Sequence, residues 1–325
     1  MSRKLLSYTA LGLILGNAAI ADVPKVAVDI APVHSLVSRV MEGVGSPKLI
    51  IPAGASPHEY SLRPSEAKSL QDADMVIWMG EDLAPWMENS IEKLAKNAEV
   101  ITLLEASETK LLDFREGALF EEHDHGDHDD HDDHDKDHDD HDDHDDHDDH
   151  AGHDHGEHDP HAWLSIENAQ TWLNLVAGKL SAADPENAGV YFGNAAAARS
   201  EIEELSKEVN SILDPVRGRS FVVFHDAYQY FETSFDFPAS GAISLGDATD
   251  PSASRIAEIQ GRVREEGINC VLSEPQYNPN LVETVLEGTD AKTGVIDPLG
   301  VNLEPGSKLY GDLIRNMAKS LAGCL

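Results

Sequence analysis

Imidazole is the functional group to follow along this chain. Thirteen of its 17 His lie in one run: His123, His125, His128, His131, His134, His138, His141, His144, His147, His150, His153, His155 and His158. The same 36 residues carry seventeen Asp and almost no apolar side chain. Such a segment cannot bury enough surface to offset the entropy of ordering itself, so residues 123–158 are expected to form a disordered loop. Imidazole and carboxylate both ligate metals, and imidazole suits Zn, Cu and Ni. A His-rich tract therefore reads first as a metal-capturing composition. An acidic solvating linker needs no His, whereas here His recurs every two to four residues.

Four His stand outside the tract: His34, His58, His161 and His225. Placing them requires the elements around them. Lys25–Ile30 (KVAVDI) is rich in β-branched residues and reads as a strand. Pro32 opens an amphipathic helix over Val33–Glu42, with Gly43 as its stop. Strands follow at Lys48–Ile51, Asp74–Gly80 and Glu99–Leu103, with helices at Pro64–Gln71 and Ala84–Lys96 between them. After Ser165–Leu180, Asp184-Pro185 starts a helix of about 28 residues, roughly 42 Å long at 1.5 Å per residue. Strands at Ser220–His225, Cys270–Ser273 and Gly294–Ile296, with a strand or loop at Ala242–Leu245, then alternate with helices at Ala227–Ser234, Ser252–Glu266, Pro279–Glu287 and Lys308–Leu321. Strand–helix alternation means βα units and parallel sheets. The expected fold is α/β with two lobes of mostly parallel sheet: residues 22–184, a connecting helix over 185–214, and 215–325.

On that frame three His fall where a ligand site is built. His58 follows the second strand, His161 lies in a loop after Pro160, and His225 closes a strand at its carboxyl end. Open α/β sheets bind ligands beyond the carboxyl ends of their strands. Two of these His belong to the first lobe and one to the second, so a cleft between lobes collects all three. Three imidazoles and a fourth N, O or S donor make a zinc site. His34 sits in the first turn of a helix, without loop context, and is left out.

The local sequences around these positions are distinctive. Gly54-Ala-Ser-Pro-His58-Glu-Tyr-Ser-Leu-Arg-Pro64, Asp159-Pro-His161-Ala-Trp163, Phe224-His225-Asp-Ala-Tyr228 and Asp297-Pro-Leu-Gly300 occur in that order. Together with the charged His-rich loop and a late Cys pair, the mature chain resembles the zinc-specific solute-binding proteins of bacterial ABC importers, the ZnuA-like branch of the metal-binding lipoprotein and adhesin family. The resemblance implies two α/β lobes joined by one long helix, with the metal between them. It implies His58, His161 and His225 as zinc ligands and an ABC transporter permease as partner. Manganese relatives carry a carboxylate where His225 stands, and harder cations prefer oxygen. Some zinc members have an acidic residue just before the first ligand His, but here that position is Pro57. Asp297, Glu59 and a water are the candidates for the fourth ligand, with Asp297 or water favoured.

The expected function is thus a high-affinity zinc receptor that delivers Zn2+ to a membrane transporter. A manganese or other divalent-metal receptor is the nearer alternative and a zinc hydrolase the more distant one. A hydrolase needs a general base, as in His-Glu-x-x-His, and His58-Glu59 lacks the second His. No enzyme activity is expected.

The bulk composition agrees. The formal charge is −36, of which the tract's seventeen Asp, one Glu and one Lys supply −17. So acidic a chain suits a cationic ligand and excludes nucleic acid and anionic membrane as partners. Met-Ser-Arg-Lys, the apolar run Leu5–Leu15 and Ala19-Ile20-Ala21 form a secretory signal peptide, residues 1–21. No other stretch approaches the ~20 apolar residues of a membrane span. A periplasmic monomer, not itself embedded in the membrane, is expected. In an exported chain the pair Cys270 and Cys324 reads as a disulfide.

Preorganised ligands bind more tightly than ligands on a chain that must be ordered first. Thirteen His at three or four per ion give the tract roughly three or four weak sites. Deleting residues 123–158 should remove those sites and leave one tight site, as calorimetry on the intact and shortened proteins will register. Tract capture should fail as pH drops through about 6–7, because protonated imidazole is no ligand. Loss of the tight site on deletion would instead make the tract its source.

Overall fold

The computed structural model describes residues 23–115, 120, 158–244, 251–277 and 279–325. The expected signal peptide and the tract as far as residue 157 lie outside the described residues. The first lobe runs β1 (Val26–Val28), α1 (Ala31–Val40), β2 (Lys48–Leu49), α2 (Pro64–Gln71), β3 (Met75–Trp78), α3 (Pro85–Leu94) and β4 (Glu99–Thr102). Two long helices follow, α4 (Ile166–Ala183) and α5 (Ala188–Leu213). The second lobe runs β5 (Phe221–His225), α6 (Gln229–Phe235), β6 (Ala242–Ser244), α7 (Ala253–Glu265), β7 (Cys270–Ser273), α8 (Pro279–Leu286), β8 (Lys292–Val295) and α9 (Leu309–Cys324).

Each lobe holds a four-stranded parallel sheet, in the orders β2-β1-β3-β4 and β6-β5-β7-β8. The α/β alternation in the sequence is thus realised twice with one topology. Parallel sheets are covered on both faces and their inner strands are apolar throughout. Accordingly every residue of β1 (VAV), β3 (MVIW), β5 (FVVFH) and β7 (CVLS) is buried. In each order the chain reverses direction across the sheet next to the first strand of the lobe, between β1 and β3 and between β5 and β7. Those switch points open a crevice at the carboxyl ends of the strands. The helix stops at Gly43 and Gly267 adopt φ of 81° and 66°, the left-handed conformation that glycine takes at little cost.

Helix α5 ties the lobes together. Its buried residues, Tyr191, Ala195, Ala198, Ile202, Leu205, Val209 and Leu213, recur every three or four positions and form one apolar stripe. That stripe packs on α4 and α1 and on α9, so first-lobe and second-lobe helices share one surface. Polar contacts at its rim repeat the arrangement: Arg39 of α1 pairs with Glu201 at 2.8 Å, and Arg315 of α9 with Glu208 at 2.8 Å. One continuous core runs through both lobes, and a smaller apolar cluster around Val222, Ile259, Val271 and Val285 fills the far side of the second sheet.

Two local expectations are corrected. The long helix begins at Ala188, because Pro185–Asn187 form a separate 3-10 turn. Asp184 does not cap it; its carboxylate accepts the Asn187 amide at 2.7 Å and the Tyr191 hydroxyl at 2.8 Å. His158, expected in the disordered tract, is ordered by an antiparallel bridge to Asp113.

Cys270 opens β7 and Cys324 ends α9, and they are joined in a disulfide with Cα atoms 5.7 Å apart. The bridge fastens the last helix, which also packs on α1 and α5, to the second sheet. Closing a loop of this length is worth roughly 4 kcal/mol in the chain-entropy account. Replacing both cysteines by Ser should lower the thermal midpoint by several degrees, read by calorimetry. An unchanged midpoint would mean that packing alone holds α9.

Candidate metal centre

Three loops at the carboxyl edges of the two sheets meet in the cleft. His58 lies in the loop between β2 and α2, and Trp86 of α3 anchors that loop by donating its indole N–H to the Pro57 carbonyl at 2.8 Å. His161 stands at the start of a 3-10 turn, Ala162–Leu164, and is only 2% exposed. Trp163 in that turn reaches the second lobe, donating its indole N–H to the Pro298 carbonyl at 2.9 Å. His225 is the last residue of β5, in register with Ser244 of β6, and is 4% exposed.

The His58 and His161 ring centroids are 5.7 Å apart, and those of His161 and His225 are 5.3 Å apart. Imidazoles bonded to one tetrahedral ion at about 2.0–2.1 Å put their centroids about 5 Å apart. Among the described residues no three His, Cys, Asp or Glu side chains are drawn close enough to hold a metal as they stand. Between the rings lies a cavity of about 20 Å³, lined also by Trp163, Glu274, Gln276 and Tyr277. About 10–15 Å³ accommodates a single water, so the void has room for an ion.

Two of the three imidazoles are oriented by carboxylates. His161 Nδ1 donates to Asp159 Oδ1 at 2.7 Å, and His225 Nδ1 donates to Glu274 Oε1 at 2.6 Å. Both carboxylates are buried, Asp159 at 1% and Glu274 at 4% exposure. A carboxylate on Nδ1 fixes the tautomer, makes Nε2 the coordinating nitrogen and raises its basicity. Glu274 follows β7 directly, and β5 and β7 are the strands that flank the switch point. Tyr228 is buried beside the pair; burial first, and then the Glu274 charge, raise its phenol well above the ordinary value, so it stays protonated.

These carboxylates were not singled out in the sequence. Asp159, two residues before His161, offered a local signal; Glu274 offered none, because only the pairing of β5 with β7 sets it against His225. The other candidates fall elsewhere. Asp297 spends both carboxylate oxygens on a turn: Oδ1 accepts Leu299 and Gly300 N–H at 3.0 and 2.9 Å, and Oδ2 accepts Val301 N–H at 2.7 Å. Glu59 is exposed, and neither it nor Asp297 lines the cavity. His34, left out on sequence grounds, is buried in α1, where its Nε2 donates to the Pro47 carbonyl at 3.3 Å.

The tract leaves and rejoins the fold beside this centre. Asp159 N–H donates to the Leu112 carbonyl at 2.8 Å, and His158 Nδ1 meets Asp113 Oδ1 at 2.9 Å. Tyr230 of α6 clamps both strands of this stem, its hydroxyl accepting Leu112 N–H at 2.9 Å and donating to the Asp159 carbonyl at 2.9 Å. Arg115, on the stem, is paired with Asp226 and with Glu232, the latter at 2.7 Å. The same stem therefore holds Asp159, which holds His161.

Two parallel α/β lobes, a helix common to both, and oriented imidazoles around an ion-sized void define a two-lobed metal-binding receptor. Among known proteins, residues 26–324 match the family described as zinc-uptake complex component A, periplasmic. The chain is 48% identical to the high-affinity zinc uptake system protein ZnuA of Paracoccus denitrificans over 323 residues, 98% of each chain. A crystal structure of a ZnuA superposes with a TM-score of 0.72 at 19% identity, covering 93% of this chain and 99% of the other. The SBP FpvC of Pseudomonas aeruginosa, solved with Mn2+, superposes with a TM-score of 0.70 at 19% identity, covering 93% and 97%. The chain belongs to the zinc-uptake component A family. Among the described residues no helix is long and apolar enough to cross a membrane.

Glu274→Gln keeps the shape of the pair but removes the charge that makes His225 a strong donor. Loss of such an orienting carboxylate typically costs roughly 10–100-fold in metal affinity, and Asp159→Asn should act alike on His161. Competition titration against a chelator measures both; unchanged affinity in both variants would rule out the orienting role.

Proposed function

We propose that this chain is a high-affinity periplasmic receptor that binds Zn2+ through His58, His161 and His225 and delivers it to an ABC-type membrane permease. The observation that carries this reading is the convergence of three imidazoles, from three segments and both lobes, on a void with room for one ion. Zinc accepts imidazole readily, whereas manganese and other harder cations prefer oxygen, so the donor set selects against the manganese receptor that shares the fold. A zinc hydrolase would need a general base beside the metal, and His58-Glu59 lacks the second His of a His-Glu-x-x-His motif.

The binding mechanism involves no chemistry on the ligand. The ion exchanges water for imidazoles already aimed by Asp159 and Glu274, so little ordering entropy opposes capture. Release needs the ligands of one lobe to part from those of the other. Because α5 packs on helices of both lobes along its length, this separation is small, a shear of the cleft loops rather than a wide hinge opening. The signal peptide at residues 1–21 directs export, and the chain works as a monomer. The tract, rooted at the Asp113–His158 bridge, gathers divalent cations by its charge and holds them weakly close to His161.

His225→Ala should abolish tight zinc binding, while His34→Ala, remote from the cleft, should leave the affinity within about tenfold, less than the effect of losing an orienting partner. Chelator competition in a background lacking the tract separates the two, with the thermal midpoint as a check on folding. Equal effects from both substitutions would withdraw the three-histidine site.

A further inference from the structure

Gln276 lines the cleft with both of its side-chain polar atoms buried and unused. Its Oε1 and Nε2 are both shielded from solvent and make no hydrogen bond. It lines the same void as His58, His161 and His225. A buried amide left unpaired is destabilising, and such a group in a native structure calls for an explanation such as a bound water, an ion or a functional role. The three imidazoles leave a tetrahedral ion one donor short. Asp297 is committed to three backbone N–H groups, and Glu59 is exposed outside the void. Glu274 holds Nδ1 of His225 with Oε1; its Oε2 is also buried without a hydrogen bond, but it belongs to the carboxylate that orients that ring from the side opposite the coordinating nitrogen.

We infer that the Gln276 side-chain oxygen is the fourth donor to the ion held by the three His, an inference that rests on the zinc-receptor reading. The amide oxygen is a neutral donor. It completes four-coordination without adding charge to a cleft that already buries Asp159 and Glu274. Placed two residues after Glu274 on the β7–α8 loop, it joins the switch-point loop of the second lobe directly to the ion, so the second lobe contributes two ligands and the first lobe two. An amide in place of a carboxylate also weakens the site for harder cations, which gain most from anionic oxygen; Gln276 is therefore a specificity-determining residue as well as a ligand.

The test compares Gln276→Met, which keeps the volume and removes the donor, with Gln276→Glu, which keeps an oxygen at the same place. In the full chain, Gln276→Met should weaken zinc roughly 10–100-fold, a loss on the scale that metal sites show when a supporting polar group goes. Its metal-free thermal midpoint should stay the same or rise, because an unpaired buried amide has been removed. Gln276→Glu should retain zinc affinity within about tenfold and shift selectivity toward Mn2+. The visible spectrum of the Co2+-loaded protein should change in Gln276→Met and be restored toward wild type in Gln276→Glu. Wild-type affinity in Gln276→Met would overturn the inference, as would equal losses in both variants, which would assign the side chain a packing role. His225→Ala is run alongside: if it too retains tight zinc, the zinc site itself fails, whereas loss in His225→Ala with no effect at Gln276 removes only this fourth donor.

Discussion

The hydrogen bond from His225 to Glu274 depends on more of this structure than any other contact in the cleft. Imidazole has two nitrogens, and a ligand imidazole needs one of them protonated and pointed away from the metal. Glu274 does this at 2.6 Å from a position that is 4% exposed. It can do so only because β5 and β7 are neighbours and both end at the same edge. Their adjacency is a consequence of the β6-β5-β7-β8 order, and β7 is itself held at its other end by the disulfide to α9. A buried carboxylate is costly unless hydrogen-bonded, and the imidazole supplies that bond, so each partner makes the other tolerable.

The first lobe reaches the same result by local means. Asp159 sits two residues before His161 and binds both its backbone N–H, at 2.9 Å, and its ring, at 2.7 Å. Distant contacts place the loop. Tyr230 of the second lobe clamps the stem that carries Asp159, and Trp163 reaches the Pro298 carbonyl across the cleft. His161 is thus registered against second-lobe atoms, which makes the distance between the lobes part of the cleft geometry. Helix α5, with one apolar stripe on helices of both lobes, keeps that distance nearly constant.

Charge acts at a longer range than these contacts. With −36 overall, the chain draws divalent cations and repels anionic surfaces. The tract concentrates much of that charge, and its stem ends three residues before His161. Under the proposed function, capture by many weak ligands and retention by a few oriented ones are separate tasks assigned to adjacent segments of one chain. Arg115 stands where they meet, shared between Asp226 and Glu232; it neutralises buried carboxylates beside His225 that would otherwise face one another uncompensated.

The sequence alone determined the fold class, the alternation of strands and helices, the long connecting helix and the three cleft His, because each rests on local patterns. Apolar runs, Gly stops and a His at the carboxyl end of a strand are readable one segment at a time. The even Cys pair, in a chain whose N-terminus reads as a signal peptide, likewise pointed to the bridge that the structure contains. What the tertiary structure decided was everything that depends on which segments lie side by side. Glu274 lies 49 residues from His225, and no spacing rule connects them; strand order does. Asp297, a carboxylate in a promising motif, turned out to hold its own turn, since three backbone N–H groups nearby satisfied it first. Gln276 carried no signal at all, because an amide becomes noteworthy only when burial leaves it without partners, and burial is a property of the packed chain.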